Sequence, residues 1–139
     1  MKIVAILLAV FLSSSFLVYA NESVCFPKAC VVAQVAKDMS ALTQGMSARK
    51  SIKKNEGMFF ILPLSAPASF GTKGMQFPID IIWIDDQKKV IVIARNLAPC
   101  MEEACPLYVP PSDYAPYVLE VNAGYAQKYG IKVGDQVKF

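Results

Sequence analysis

The sequence predicts an α+β fold in which antiparallel β-strands predominate. About seven short, β-rich apolar runs are separated by turn residues. Only two stretches have the capping residues of helices, and both are short. The chain without its N-terminal segment is the size of one ordinary domain. We expect a small closed or nearly closed β-barrel with two short helices, because closure removes exposed strand edges.

Residues 1–20 have the features of a secretory signal peptide. Lys2 gives a positive start, residues 3–12 form an apolar segment, and Val18–Ala20 ends in a small residue suited to cleavage. An uncleaved membrane anchor is the alternative, but the apolar segment is short for a spanning helix, which needs about 20 residues. We therefore expect residues 21–139 to be one exported domain, periplasmic or extracellular, with no stable membrane span.

The first elements predicted in this domain are a β-hairpin and a short helix. Val24–Phe26 and Cys30–Ala36 are β-rich runs separated by a turn that contains a proline. Asp38 can then cap a helix that runs through Gln44, and Gly45 can end it in a left-handed conformation. A basic connector follows, which we interpret as a solvated loop.

The most apolar run after the N-terminus is Ile79–Ile84, which is interrupted only by Asp80. Alternate residues of this run are apolar on both faces, so it predicts an interior strand that is covered on both sides. A carboxylate on such a strand needs a partner, because burying an unpaired charge is very costly. The other predicted elements are strands at 57–62, 89–94, 117–121 and the C-terminus, a long proline-rich loop at 96–116, and a helix at 123–129 capped by Asn122.

Four cysteines fall into two close pairs, Cys25/Cys30 and Cys100/Cys105. An exported chain meets an oxidising compartment, so we predict the disulfides Cys25–Cys30 and Cys100–Cys105. Zinc is less favoured, because neither pair has the two-residue gap of common zinc sites. Thiol exchange is less favoured as well, because neither pair is a Cys-x-x-Cys motif. The sequence predicts no metal and no cofactor.

The composition argues against several other functions. The chain has no histidine and so lacks the commonest metal ligand and the usual general base. It contains neither a serine-nucleophile motif nor a phosphate-binding loop. Loss of Lys2 with the signal segment reduces the basic residues from 14 to 13, against 11 acidic residues. Such a small excess does not predict a nucleic-acid partner.

The chain contains the motifs Gly57-Met58-Phe59-Phe60, Val118–Gly124 and Val133-Gly134-Asp135. Together with other pieces, these motifs resemble the family known as domain of unknown function 192. They occur in the family's order and cover essentially the whole mature chain. The resemblance implies a compact, mostly β single domain that is found in prokaryotes and is often exported, and it implies no activity. Where the family usually has Trp-Met-Lys-Asn-Thr, this chain has Gly71–Met75 and keeps only the lysine. The matching pieces include Gly57-Met58-Phe59-Phe60, Ser69-Phe70, Lys73, Asp80 with its strand, Val118–Gly124 and Val133-Gly134-Asp135.

Four charged residues that match the family pattern are candidate ligand-binding residues: Arg49, Lys73, Asp80 and Glu120. In a functional interpretation they line a pocket in which cations hold an anionic or polar ligand and a carboxylate acts as acid or base. In a structural interpretation they form a buried ion pair, or a carboxylate satisfied by backbone N–H groups. We expect Asp80 to be buried and paired with Lys73 or Arg49, with backbone N–H groups as the alternative.

These features favour a non-catalytic binding or accessory module of the cell envelope, whose partner is an unknown small molecule or an envelope protein. The alternative is a small enzyme that uses Asp80 or Glu120 with Lys73 or Arg49 on a polar envelope substrate. A deep pocket in which these side chains converge would favour the enzyme. A flat apolar patch or a closed, salt-bridged core would favour the binding or structural role.

Overall fold

The computed structural model describes residues 20–63, 69–110 and 115–139. The predicted signal segment, except for Ala20, lies outside the described residues, as do most of the turn-rich segment after Pro63 and part of the proline-rich loop. The main sheet consists of β1 Asn21–Phe26, β2 Ala29–Ala36, β3 Glu56–Ile61, β5 Ile79–Ile84, β6 Val90–Leu97 and β8 Tyr117–Asn122. A second, two-stranded sheet consists of β4 Phe70–Gly71 and β7 Leu107–Tyr108. The helices are α1 Met39–Gln44 and α2 Tyr125–Lys128.

The six main strands are ordered β1-β2-β3-β8-β5-β6. The pair β2–β3 is parallel and is connected through α1, and the other pairs are antiparallel. The expectation of a mainly antiparallel α+β fold is therefore confirmed. The predicted barrel is wrong, because β1 and β6 are the two ends of an open sheet. Barrel closure would require these two strands to pair with each other, and they do not.

The C-terminal segment, residues 133–139, lies between the two edges of the sheet. Cys25 and Lys138 exchange two backbone hydrogen bonds, of 2.8 and 2.9 Å. At the other edge, Val90 N donates to Asp135 O at 3.0 Å, and Gly134 N donates to Val90 O at 2.8 Å. The segment predicted as a last strand therefore forms isolated bridges to both edges. It forms hydrogen bonds with backbone groups of β1 and β6, which in a closed barrel would pair with each other.

Strand β5 is buried along its whole length, as its apolar sequence predicts. Ile82 and Ile84 belong to one apolar core, which also contains residues of α2. Ile79, Ile81 and Trp83 belong to a second core on the opposite face, which also contains Ala41 of α1. The sheet is therefore covered on both faces, and each helix packs on a different one.

Local sequence signals determine the ends of α1. Asp38 accepts a hydrogen bond at 2.9 Å from the backbone N–H of Ala41, so it caps the helix as predicted. Gly45 follows the last turn with a φ of 51°, a value that glycine adopts without the steric cost of a side chain. The chain then turns back towards β3.

Candidate functional site

The main candidate site is a pocket of about 340 Å³ on the face of the sheet that carries α1. We call it the Glu120 pocket. It is lined by residues of α1 and by the turn Gly45–Ser47. Phe70, Lys73 and Met75 also line it, and Glu120 reaches it from β8. The volume is within the range typical of small-molecule sites.

The position of Glu120 follows from the alternation of β8. Val118 and Glu120 are two residues apart and face the same side of the sheet, whereas Leu119 and Val121 face the other core. On the neighbouring strands, Glu120 is paired with Met58 of β3 and Ile81 of β5. Both neighbours are buried and apolar. The strand therefore holds a carboxyl group among apolar side chains.

The carboxyl group of Glu120 is buried in apolar surroundings. The residue is 4% exposed. Its Oε2 atom has no hydrogen-bond partner among the described residues. Burial raises the pKa of Glu120 to about 8, because the charged form loses its hydration. Around neutral pH, most Glu120 side chains are therefore protonated and can donate a hydrogen bond.

Lys73 lies at the exposed side of the same pocket. Its ammonium group donates a hydrogen bond at 2.9 Å to the carbonyl oxygen of Glu103. Lys73 is the only cationic residue, and Glu120 the only acidic one, among the described residues that line the pocket. The charge of Lys73 is not among the causes that shift the pKa of Glu120. Lys73 is exposed, whereas Glu120 is buried.

The segment that carries Lys73 is held by the loop of the second disulfide. Cys100 N donates to Thr72 O and Gly74 N donates to Cys100 O, both at 3.1 Å. The hydroxyl of the buried Thr72 donates to Ala98 O at 2.8 Å. The short sheet β4–β7 joins the same two segments. One side of the Glu120 pocket is thus built on the disulfide loop.

Both cysteine pairs form the predicted bridges. Cys25 and Cys30 are opposite each other in the β1–β2 hairpin, with a Cα–Cα distance of 4.0 Å. Cys100 and Cys105 are bridged in the loop before β7, with a Cα–Cα distance of 5.9 Å. The first bridge lies at the edge of the main sheet, whereas the second lies beside the Glu120 pocket.

Asp80 is fully buried, but its partners are backbone groups. It accepts hydrogen bonds from the N–H groups of Asn96 at 2.8 Å, Gly124 at 3.1 Å and Ala126 at 2.9 Å. The preferred expectation of a Lys73 or Arg49 partner is wrong, and the alternative of backbone N–H groups is confirmed. Three N–H donors satisfy the carboxylate without a cation.

These contacts also change the prediction for the second helix. Gly124, the N-cap residue of α2, has no side chain with which to cap it. Asp80 accepts from the N–H groups at this end of the helix and so replaces a local cap. The predicted cap, Asn122, instead donates to the carbonyl oxygens of Ile52 and Lys53. Asp80 therefore joins β5, the end of β6 and the start of α2.

Arg49 lies outside the Glu120 pocket. It lines a separate depression with Gln34 and Glu56. The structure brings together only Lys73 and Glu120 of the four sequence candidates. Sequence reasoning missed the apolar side chains of Met46, Phe60 and Met75 as pocket-lining residues, because core residues and pocket residues have the same composition. The alternation around Glu120 was the available signal for the site.

The fold and the pocket define a small, disulfide-stabilised β domain with a buried acidic residue at a small-molecule-sized cavity. The chain belongs to the domain of unknown function 192 family, described as Uncharacterized ACR, whose model matches residues 24–139. This finding confirms the resemblance seen in the sequence. A comparison with curated proteins finds no match.

Two solved structures are similar to this chain. One, from Sinorhizobium meliloti 1021, is described provisionally as a transcription regulator; it is 27% identical, with a TM-score of 0.75, over 86% of this chain and 94% of that chain. The other is a protein of unknown function from Novosphingobium aromaticivorans DSM 12444. It is also 27% identical, with a TM-score of 0.73, over 87% of this chain and 85% of that chain.

The described part of the chain contains no helix that is both long and apolar enough to cross a membrane.

Proposed function

We propose that this protein is an exported binding module of the cell envelope and that the Glu120 pocket is its ligand site. One observation carries the proposal: Glu120, which is 4% exposed and whose Oε2 atom has no hydrogen-bond partner among the described residues, reaches a cavity of about 340 Å³. Buried polar groups in proteins are nearly always hydrogen-bonded, so an orphaned group calls for an explanation. A ligand that supplies the missing partner is such an explanation.

The alternative is a small enzyme in which Glu120 transfers a proton. A pKa near 8 suits an acid or base that works around neutral pH. Lys73 could hold an anionic part of the substrate in the same pocket. Asp80 has a smaller part in this alternative, because its oxygens already accept three backbone hydrogen bonds. Binding remains the first choice, because the chain has no histidine and Glu120 is the only acidic residue among the described residues that line the pocket.

Export is supported by the signal-like residues 1–20 and by the two disulfides, which persist in oxidising compartments. Expression of the full chain in a bacterial host, followed by fractionation and mass measurement, tests this proposal. We expect a periplasmic or secreted protein that begins at Asn21. A full-length product in the membrane fraction would favour the retained anchor.

The ligand we propose is a small molecule and not a nucleic acid, despite the description of the Sinorhizobium structure. The formal net charge of the chain is only +3. Nucleic-acid binding depends on many phosphate contacts from clustered basic residues. An envelope protein remains the other partner class.

A metabolite and glycan library, screened by thermal shift against residues 21–139, tests the site. We expect at least one ligand to raise the melting temperature, and we expect Glu120→Leu to abolish that shift. Arg49→Gln is the matched control outside the pocket, and it should leave the shift unchanged. The proposal fails if the ligands found stabilise the Glu120→Leu variant as well as the parent. Release of a modified product from any ligand would support the enzyme instead.

A further inference from the structure

We propose that the Glu120 pocket takes a bifunctional ligand with a neutral hydrogen-bond acceptor at one end, an apolar middle and a carboxylate at the other end. The acceptor faces Glu120 and the carboxylate faces Lys73. This inference rests on the proposed function and adds to it the chemical class of the ligand.

The first step concerns Glu120. Its Oε2 atom is buried and has no hydrogen-bond partner within residues 20–63, 69–110 and 115–139. The strands beside it present Met58 and Ile81, which are apolar. The α1 side of the pocket contributes only uncharged residues. A carboxyl group in such surroundings is held as the neutral acid, which can donate a hydrogen bond. Its complement is a ketone, ester or ether oxygen.

The second step concerns the apolar lining of the pocket. Met46, Phe60 and Met75 are almost fully buried and line it, and Phe70 packs edge-on against Phe60 at 4.9 Å between ring centroids. Methionine side chains adapt to irregular apolar shapes. Such a surface favours a hydrocarbon segment, since burying apolar area is the main source of binding energy there.

The third step concerns Lys73. Its ammonium group has three N–H donors, and Glu103 O occupies one of them. The remaining donors can bind a ligand at the exposed side of the pocket. A single ammonium group complements a single negative charge, which a carboxylate carries. A cationic ligand is disfavoured, because Lys73 would repel it and Glu120 would have to lose its proton.

The experiment uses four matched eight-carbon compounds, titrated into residues 21–139 and followed by amide NMR at the pocket. They are octanoate, octanoate with a ketone on the carbon next to its far end, methyl hexyl ketone, and octylamine. We expect the keto acid to bind about tenfold more tightly than octanoate or methyl hexyl ketone, because each of these lacks one polar contact. Octylamine should bind most weakly.

The pH dependence and two variants identify the contacts. Affinity for the keto acid should be constant from about pH 6, where the carboxylate of the ligand is ionised, to about pH 8. Above this range it should fall towards that for octanoate, as Glu120 loses its proton and its hydrogen bond to the ketone. Glu120→Gln keeps a neutral donor, so it should retain binding and lose this pH dependence. Lys73→Gln should lower the affinity for the keto acid to that for methyl hexyl ketone.

Two outcomes would overturn the inference. Tight binding of octylamine that increases with pH would show that Glu120 acts as an anion, and the class of ligand would be wrong although the pocket is a site. Absence of pocket shifts with all four compounds would also overturn it. The proposed function would fail separately, through the library screen, if no ligand depended on Glu120.

Discussion

Asp80 and Glu120 are both buried acidic residues of neighbouring strands, but the groups around their carboxyl groups differ. This difference gives Asp80 a structural role and makes Glu120 the candidate for a functional one. Asp80 faces α2 and receives three backbone N–H groups. Glu120 faces the opposite side of the sheet and has an oxygen with no partner in the described part of the chain. The three N–H donors compensate the burial of Asp80, whereas burial favours the neutral acid at Glu120.

Replacing Asp80 tests the structural role. Asp80→Asn should lower the free energy of unfolding by roughly 2–4 kcal/mol, because the amide has one acceptor oxygen and directs an NH₂ group at N–H donors. The control is Asp85→Asn, since Asp85 accepts a single exposed bond from Lys89 N at 2.8 Å. That change should cost less than about 1 kcal/mol. Denaturant unfolding of both variants is the measurement, and equal costs would contradict the assignment.

Glu120 should make the stability of the protein depend on pH. Its folded pKa of about 8 lies above the unfolded value of 4.5, so the folded state binds more protons between these values. Its contribution is fully present below pH 4.5 and is lost as the pH rises to 8, by up to about 1.4 kcal/mol per pH unit. Glu120→Gln should therefore become steadily more stable than the parent over this window. The exposed Glu102→Gln is the control and should show no such trend.

At the level of elements, the second disulfide loop supports the segment that carries Lys73. Replacing Cys100 and Cys105 by serine should destabilise the fold by about 2 kcal/mol in the chain-entropy model. It should also accelerate amide exchange at Gly74 and weaken ligands of the Glu120 pocket, because Gly74 N donates to Cys100 O.

The matched control replaces Cys25 and Cys30, whose bridge closes a loop of the same sequence separation, 5 residues. It should have a similar effect on unfolding, since the entropy of loop closure depends on loop length. It should leave exchange at Gly74 and ligand affinity unchanged. Equal loss of affinity in both variants would show that the pocket depends on global stability and not on the adjacent loop.

Features encoded by neighbouring residues were predictable from the sequence. The burial of Ile79–Ile84 on both faces follows from its composition, and the Asp38 cap lies three residues from its donor. The donors to Asp80 are 16, 44 and 46 residues away, and no periodicity specifies them. Asn122 was misassigned for the same reason, since its acceptors are 69 and 70 residues away. The Glu120 pocket also depends on distant segments, so only its acidic residue and its lysine could be named.

At the level of the whole molecule, the C-terminal segment protects both edges of an open sheet. Phe139 packs against Phe59 at 4.6 Å and Tyr117 at 4.8 Å between ring centroids. Its carbonyl oxygen accepts a hydrogen bond from the Lys88 ammonium at 2.7 Å. The segment therefore combines edge pairing with coverage of the core.

Deleting residues 136–139 should lower the free energy of unfolding by about 3 kcal/mol or more, because it removes a packed aromatic ring and exposes backbone groups at both edges. The exposed edges should also promote self-association that increases with protein concentration. Val133→Ala is the control, since Val133 belongs to the same segment and is 62% exposed. Thermal unfolding and light scattering are the measurements. A monomeric deletion variant of parental stability would show that the edges need no protection.

The pairing of Cys25 with Lys138 also constrains when folding can be completed. It joins residues separated by nearly the whole length of the chain, and contacts of this kind form slowly because a long loop must close first. If the chain crosses a membrane N-terminus first, as an exported protein does, this contact cannot form until residue 138 has crossed. The Cys25–Cys30 bridge spans 5 residues and can form much earlier. The chain would then finish crossing the membrane before the main sheet is complete. It would reach the far side with the Cys25–Cys30 bridge of its first hairpin formed and with the edges of the sheet still unpaired.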